Sequence, residues 1–317
     1  MLLSDRLIKR IIDLKAPVIV GLDPTIDRIP ALFKEGKPNT FEGAADCILE
    51  FNKTIIDAVC ECVPAVKPQI AFYELYGSAG IKAFEQTVAY AKSKGLFVIA
   101  DGKRNDIGNT ASAYAGAFLG EVPLPDGSFS LGPFGVDFLT VSPFLGAESL
   151  EPFFEAASAF DKGVFILVRT SNPDSDVIQS AVTSSGGDSV SEYIAGVIDS
   201  NSSRCLGEHG YSSIGAVIGA TYPEDAATLR SRMPKSLLLV PGYGAQGAKE
   251  AGILPAFNPD GLGAVVVASR SVIYAYENEF SAACSLSEFS SSVRLAANLM
   301  RDDIYAALKS KYPGMVY

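Results

Sequence analysis

Eight short runs of β-branched and aliphatic residues recur along this chain, and each ends in charged, glycine or small polar residues. Such runs suit strands buried on both faces, because a parallel sheet covered by helices has no wet face to alternate with. They lie at Pro17–Asp23, Ala65–Ile70, Leu96–Ala100, Val136–Ser142, Gly163–Arg169, Ile214–Thr221, Leu237–Gly244 and Ala264–Arg270. Helical patterns intervene around Phe41–Cys62, Asn109–Leu119, Leu150–Phe160, Ser189–Leu206 and Pro223–Arg232, and another follows at Phe280–Leu308. Strands alternating with helices predict an α/β fold, a (β/α)8 TIM barrel in a single domain over residues 1–317. An open doubly wound sheet is the runner-up. Leu2–Leu14 adds an N-terminal helix, with Ser4 placed to cap it, expected to plug or cover one end of the barrel.

Composition excludes several classes. No apolar run reaches the 18 or so residues that would span a bilayer, and charges interrupt the apolar residues of the N-terminus, unlike a signal peptide. A soluble, cytoplasmic protein is expected. A net charge of −10 argues against a nucleic-acid surface but leaves room for a small anion held by local donors. The five cysteines, at 47, 60, 62, 205 and 284, lack a paired metal-binding spacing and are expected as reduced, mostly buried thiols. His209 is the only histidine and sits in a polar loop beside Gly210, so histidine catalysis is not expected.

Chemistry concentrates at Leu96–Tyr114, LFVIADGKRNDIGNTASAY. Alternation along a strand puts Asp101 and Lys103 on one side and Gly102 on the other, with a second carboxylate, Asp106, three residues on. At about 4 Å and an effective dielectric near 20, one such pair interacts by roughly 4 kcal/mol, so clustered charges tune one another strongly. Lys67, inside a buried run, also needs a partner. A barrel would bring Asp23, Lys67, Asp101, Lys103, Ser171, Gln246 and Arg270 to one mouth. Gly242, Gly244 and Gly247, with Arg270 at the next strand end, suit a phosphate site. The Ser-rich stretch Asp174–Asp188 could be a mobile lid or surface decoration, and Glu121–Gly135 reads as a surface connection.

These motifs resemble the orotidine 5'-monophosphate decarboxylase family, in its longer bacterial-type branch. The likeness rests on VGLDP at 20–24, KPQIAFYE at 67–74, DGKRNDIGNTASAYA at 101–115, TSNP at 170–173, PGYGAQG at 241–247 and ASRSVIY at 268–274. One departure is Ser269, where the shorter branch has glycine before the phosphate arginine. The resemblance implies a homodimeric, cofactor-free enzyme that converts orotidine 5'-monophosphate to UMP and carbon dioxide, with no metal at its site. Its charged array would map onto Lys67, Asp101, Lys103 and the neighbouring subunit's copy of Asp106. Lys103 would protonate the pyrimidine, and Asp101 would face the departing carboxylate. Asp23, Thr110 and Asp106 would reach the ribose, Ser171 the base, and Gln246 and Arg270 the phosphate, with Ile107 and Pro241 completing the substrate contacts. Two rivals are a magnesium-using sugar-acid phosphate decarboxylase with the same D-x-K-x-x-D theme and a barrel reduced to a nucleotide sensor.

Overall fold

The computed structural model describes residues 1–184, 186–243, 250–278 and 285–317. Helix α1 (Leu3–Leu14) precedes strand β1 (Val18–Leu22), and α2 (Phe41–Val59) leads to β2 (Ala65–Pro68). Then come α3 (Ala71–Glu74), α4 (Gly77–Ser93), β3 (Phe97–Arg104) and α5 (Gly108–Leu119). Strands β4 (Glu121–Pro123) and β5 (Phe129–Leu131) form a separate antiparallel hairpin. The chain continues through β6 (Phe138–Val141), α6 (Glu151–Ala159), β7 (Gly163–Arg169), α7 (Ser175–Gln179) and α8 (Val190–Asn201). It finishes with β8 (Ser212–Ile218), α9 (Pro223–Arg232), β9 (Ser236–Pro241), α10 (Glu250–Ile253), β10 (Ala264–Ala268), α11 (Arg270–Ile273) and α12 (Leu286–Lys311).

Eight of these strands close into a barrel in the order β1-β10-β9-β8-β7-β6-β3-β2, every neighbouring pair parallel. The expected (β/α)8 barrel therefore forms, and all eight strands present their C-terminal ends at one mouth. Strand alternation splits the apolar residues between two cores. Val18, Val20 and Leu22 pack outward against the helices, while Ile19 points inward with Ala65, Ile99, Phe138, Phe165, Leu239 and Val265.

Helix α1 seals the opposite end. Its Leu3, Leu7, Ile8 and Ile11 share one face and join the inner core, each fully buried side chain contributing about 1.5–3 kcal/mol. Ser4 does not cap it. Leu2 is the cap residue and offers no side-chain bond, whereas Asp161 accepts the Leu3 N–H at 2.7 Å and pairs with Arg6 at 2.9 Å. A carboxylate from the α6–β7 connection thus does the work expected of Ser4, whose hydroxyl is buried inside the first turn. His209 lies at this end too, its backbone N–H bonded to Asp5 at 2.9 Å.

Three stretches carry structure that the sequence reading did not specify. Glu121–Gly135 carries the β4–β5 hairpin, Asp174–Asp188 contains α7, and α4 fills a stretch with no predicted helix. The α4 face that packs inward is Gly80, Ala83, Phe84, Thr87, Val88 and Ala91, mostly small residues. Close approach requires them: a Cβ on Gly80 would stand 1.9 Å from the Tyr73 carbonyl oxygen. Cys47, Cys60, Cys62 and Cys205 are free thiols, three of them buried; Cys284 and Phe280 lie outside the described residues. No helix among the described residues is long and apolar enough to cross a membrane.

Candidate active site

The inward column of side chains changes character near the mouth. Ala65, Ile99 and Phe138 form an apolar layer, and two residues further along β2, β3 and β6 the same face carries Lys67, Asp101 and Thr140. These three meet: Lys67 Nζ lies 2.8 Å from Asp101 Oδ2, and Thr140 Oγ1 donates to Asp101 Oδ1 at 3.0 Å. Lys103 Nζ bonds the same Oδ1 at 2.6 Å. One carboxylate thus receives two ammoniums and a hydroxyl.

Simple alternation does not explain how Lys103 gets there. The β3–β6 register jumps from Ala100↔Leu139 to Arg104↔Val141, so four steps on β3 oppose two on β6. The ladder bulges at Asp101–Lys103, and Lys103 takes a left-handed backbone with φ 45°. Such a conformation is unfavourable for a residue with a Cβ and persists where its surroundings hold it. Thr140 Oγ1 accepts the Lys103 N–H at 2.9 Å, and Arg104 donates to the Gly102 carbonyl at 2.8 Å while pairing with Glu74. The bulge is therefore braced on both sides.

Burial opposes the charge on Asp101, but Lys67 and Lys103 outweigh it and hold the carboxyl well below the usual carboxylate range. Burial likewise works against the Lys67 ammonium, which is 5 % exposed, yet Asp101 and Asp23 push its pKa up. Both groups are charged at neutral pH. Lys103 differs in access: its side chain is 48 % exposed, so its ammonium opens onto the mouth. Asp23 follows β1, and its Oδ1 is buried without a hydrogen-bond partner among the described residues. A buried acceptor that interacts with Lys67 is free to take a ligand hydroxyl. Tyr274 fixes the loop, its hydroxyl donating to the Asp23 carbonyl at 3.1 Å and accepting the Thr25 N–H at 2.8 Å.

The array's side-chain bonds run among Lys67, Asp101, Lys103 and Thr140, and the remaining described candidates are not among their partners. Ser171, just past β7, packs over Gly219, where a Cβ would stand 2.9 Å from its own. Pro241 ends β9 half-buried, and Gly242 follows with φ 107°. Gln246, Gly244 and Gly247 lie outside the described residues. Arg270 is exposed at the start of α11. Ser269 before it fits because Gly21 on the neighbouring strand has no side chain: a Cβ there would lie 1.9 Å from Ser269 Oγ. Asp106 accepts the N–H of Ile107 at 2.8 Å, and neither Lys67 nor Lys103 pairs with it within the chain. Ile107, 64 % exposed, and Thr110 face outward.

Residues 16–283 match the family model described as orotidine 5'-phosphate decarboxylase / HUMPS family. This chain belongs to that family. Among its relatives is the orotidine 5'-phosphate decarboxylase of Rhodopirellula baltica, 42% identical over 287 residues, covering 90% of this chain and 93% of the relative. The orotidine 5'-phosphate decarboxylase of Caldicellulosiruptor saccharolyticus is 38% identical over 309 residues, covering 96% and 98%. In structure, the chain is similar to Leishmania donovani OMP decarboxylase, with a TM-score of 0.70 and 28% identity over 97% of this chain and 99% of that one. Within this orotidine 5'-phosphate decarboxylase-type barrel, two supporting residues escaped sequence reasoning. Thr140 stood unremarked in the run VDFLTVS, although it shares its inward parity with Phe138; Tyr274 stood in ASRSVIY with no role assigned. A hydroxyl on the inward face near the end of a buried strand was the available signal for Thr140.

Proposed function

We propose that this chain decarboxylates orotidine 5'-phosphate to UMP and carbon dioxide, the last step of UMP synthesis, as a carboxy-lyase that needs no cofactor. Asp101 held between Lys67 and Lys103 at 2.8 and 2.6 Å is the observation that supports this most directly. Losing carbon dioxide from the pyrimidine leaves an electron pair on C6 that the ring cannot delocalise. A preorganised ammonium stabilises that charge without reorganisation, and Lys103 is the accessible one, able also to deliver the proton to C6. Asp101 faces the departing carboxylate and fixes both lysines, while Lys67 holds the array and the ribose.

Asp23, with its unpartnered oxygen, takes a ribose hydroxyl. Ser171 and Pro241 border the base, and Gln246 and Arg270 hold the phosphate, whose binding energy can be spent at the reacting carbon. Thr110 reaches the ribose and Ile107 borders the substrate, while Asp106 acts in the site of a second subunit, which makes the enzyme a homodimer with two shared sites. Residues 1–317 act as one domain, in the cytoplasm, with no nucleic-acid or membrane partner. The test is to follow loss of the pyrimidine absorbance of orotidine 5'-phosphate with purified protein in EDTA. Turnover supports the proposal; turnover of a sugar-acid phosphate only, and only with magnesium, overturns it.

A further inference from the structure

Arg169 closes β7, and although it borders a polar loop it is only 2 % exposed. Its Nε donates to Asp225 Oδ2 at 2.7 Å, its Nη1 to Ser175 Oγ at 2.9 Å, and its Nη2 to the Asp176 carboxylate. The guanidinium also lies 3.9 Å from the centroid of the Tyr222 ring. Ser175 and Asp176 belong to α7, in the connection after β7, whereas Tyr222 and Asp225 belong to the connection after β8. One buried cation joins two neighbouring loops of the mouth.

The first of these loops folds back on that cation. Ser175 Oγ donates to the Thr170 carbonyl at 3.0 Å, and Gln179 brackets Thr170 by accepting its N–H at 2.9 Å and donating to its hydroxyl at 2.8 Å. Ser171 is the next residue. It is pressed against Gly219, whose own N–H is bonded to the Arg169 carbonyl at 2.7 Å. Ser171 is thus held on one side by a loop anchored to the Arg169 guanidinium and on the other by Gly219, which bonds the Arg169 main chain.

We infer that Arg169 is a positioning residue that locks the loop after β7 to the loop after β8 and so fixes Ser171 for the pyrimidine. This rests on the assignment of Ser171 to the base. Without the lock, a loop rich in serine would be ordered at the expense of substrate binding. The acceptors on Asp225, Ser175, Asp176 and, at 3.5 Å, Gln179, together with the ring, use the planar fork of a guanidinium, which an ammonium cannot reproduce.

A double-mutant cycle tests it. Arg169→Met and Ser171→Ala are each expected to lower kcat/KM about 30-fold, and the double variant to fall no more than about 3-fold below the worse single, because both remove one contact. Arg169→Lys should recover less than about a third of the loss. If the two losses multiply while Ser171→Ala is impaired, Arg169 does not act through Ser171 and the inference falls. If Ser171→Ala retains wild-type kcat/KM, the assignment of Ser171 itself fails. Should Arg169→Met not fold, Asp225→Asn replaces it, since that carboxylate is about half exposed. Its expected loss of about 5-fold should vanish in the Ser171→Ala background, and a loss that persists there overturns the inference.

Discussion

The β2–β3–β6 corner and the Asp106–Thr110 segment, which begins three residues after Lys103, are built in opposite ways. In the first, every charge has a partner: Lys67, Lys103 and Thr140 converge on Asp101, and the bulge that aims Lys103 is braced by Thr140 and Arg104. In the second, Asp106 bonds, among the described residues, its own neighbour's N–H, and Ile107 and Thr110 stand exposed. A self-sufficient array beside an acid it does not engage is what the proposed site, divided between two chains, would require. The half that stabilises charge must be rigid before substrate arrives, whereas the half that serves a neighbour must project.

Lys103→Ala attacks the rigid corner at its accessible end, and the largest effect is expected there. Turnover should fall about 10,000-fold in a single-turnover assay, because a positioned proton donor and its field are both lost. The melting temperature should barely change, since the side chain is about half exposed. Near-normal turnover would show that the chemistry lies elsewhere.

Asp101→Ala against Asp106→Ala measures the contrast as stability. Removing Asp101 strands the buried Lys67 ammonium and should cost about 3–5 kcal/mol in urea unfolding at fixed protein concentration. Asp106→Ala should change stability by less than about 0.5 kcal/mol. The pH dependence follows from the directions of the shifts. Asp101 titrates lower folded than unfolded, so its contribution is present above the unfolded value near 4 and is lost as pH falls through the folded one. Lys67 titrates higher folded, so its contribution is present below about 10.4 and is lost as pH rises through its folded value. Asp106→Ala keeps the pair, so between about pH 5 and 9 neither shift should change its stability, whereas Asp101→Ala removes the carboxylate that raises the Lys67 pKa and should regain stability as the stranded ammonium loses its proton at rising pH. A pH-dependent loss of stability in Asp106→Ala within that window would mean that Lys67 and Asp101 are not charged together.

Arg270→Ala probes the other exposed side of the mouth. Loss of a charge-assisted contact should lower kcat/KM for orotidine 5'-phosphate about 10- to 100-fold and leave the unphosphorylated nucleoside unaffected. Equal losses on both substrates would remove Arg270 from the phosphate site.

The same contrast governs what could be read from the chain. Apolar runs and the polar residues that end them can be read one segment at a time, so the eight strands and the gathering of Lys67 and Asp101 at one mouth were legible, whereas the expected route of Lys103 to Asp101, by plain alternation, was not the one the strand takes. Register is not. Nothing in DGKR announces that four residues of β3 oppose two of β6, and so the left-handed Lys103 and the bond that Thr140 makes to its N–H were hidden. Capping at a distance was hidden for the same reason, since Asp161 reaches α1 across 158 residues. Helix α4 hid because Gly80 and Ala83 bury a face that does not look apolar.

The smallest expected signal decides whether the projecting segment completes a neighbour's site. Mixing the inactive Lys103→Ala and Asp106→Ala chains gives, in a dimer of one each, one site that carries both lesions and one that carries neither, provided Asp106 crosses to the partner. With random reassortment half the dimers are mixed and one of their two sites works, so activity should return to about a quarter of wild type. The arithmetic depends on exchange, which native mass spectrometry of the two masses can follow. An Asp106 that served its own chain would leave every site in the mixture with one lesion, and activity would stay at the background of the parents. Confirmed exchange with no recovery would place Asp106 in its own subunit's site.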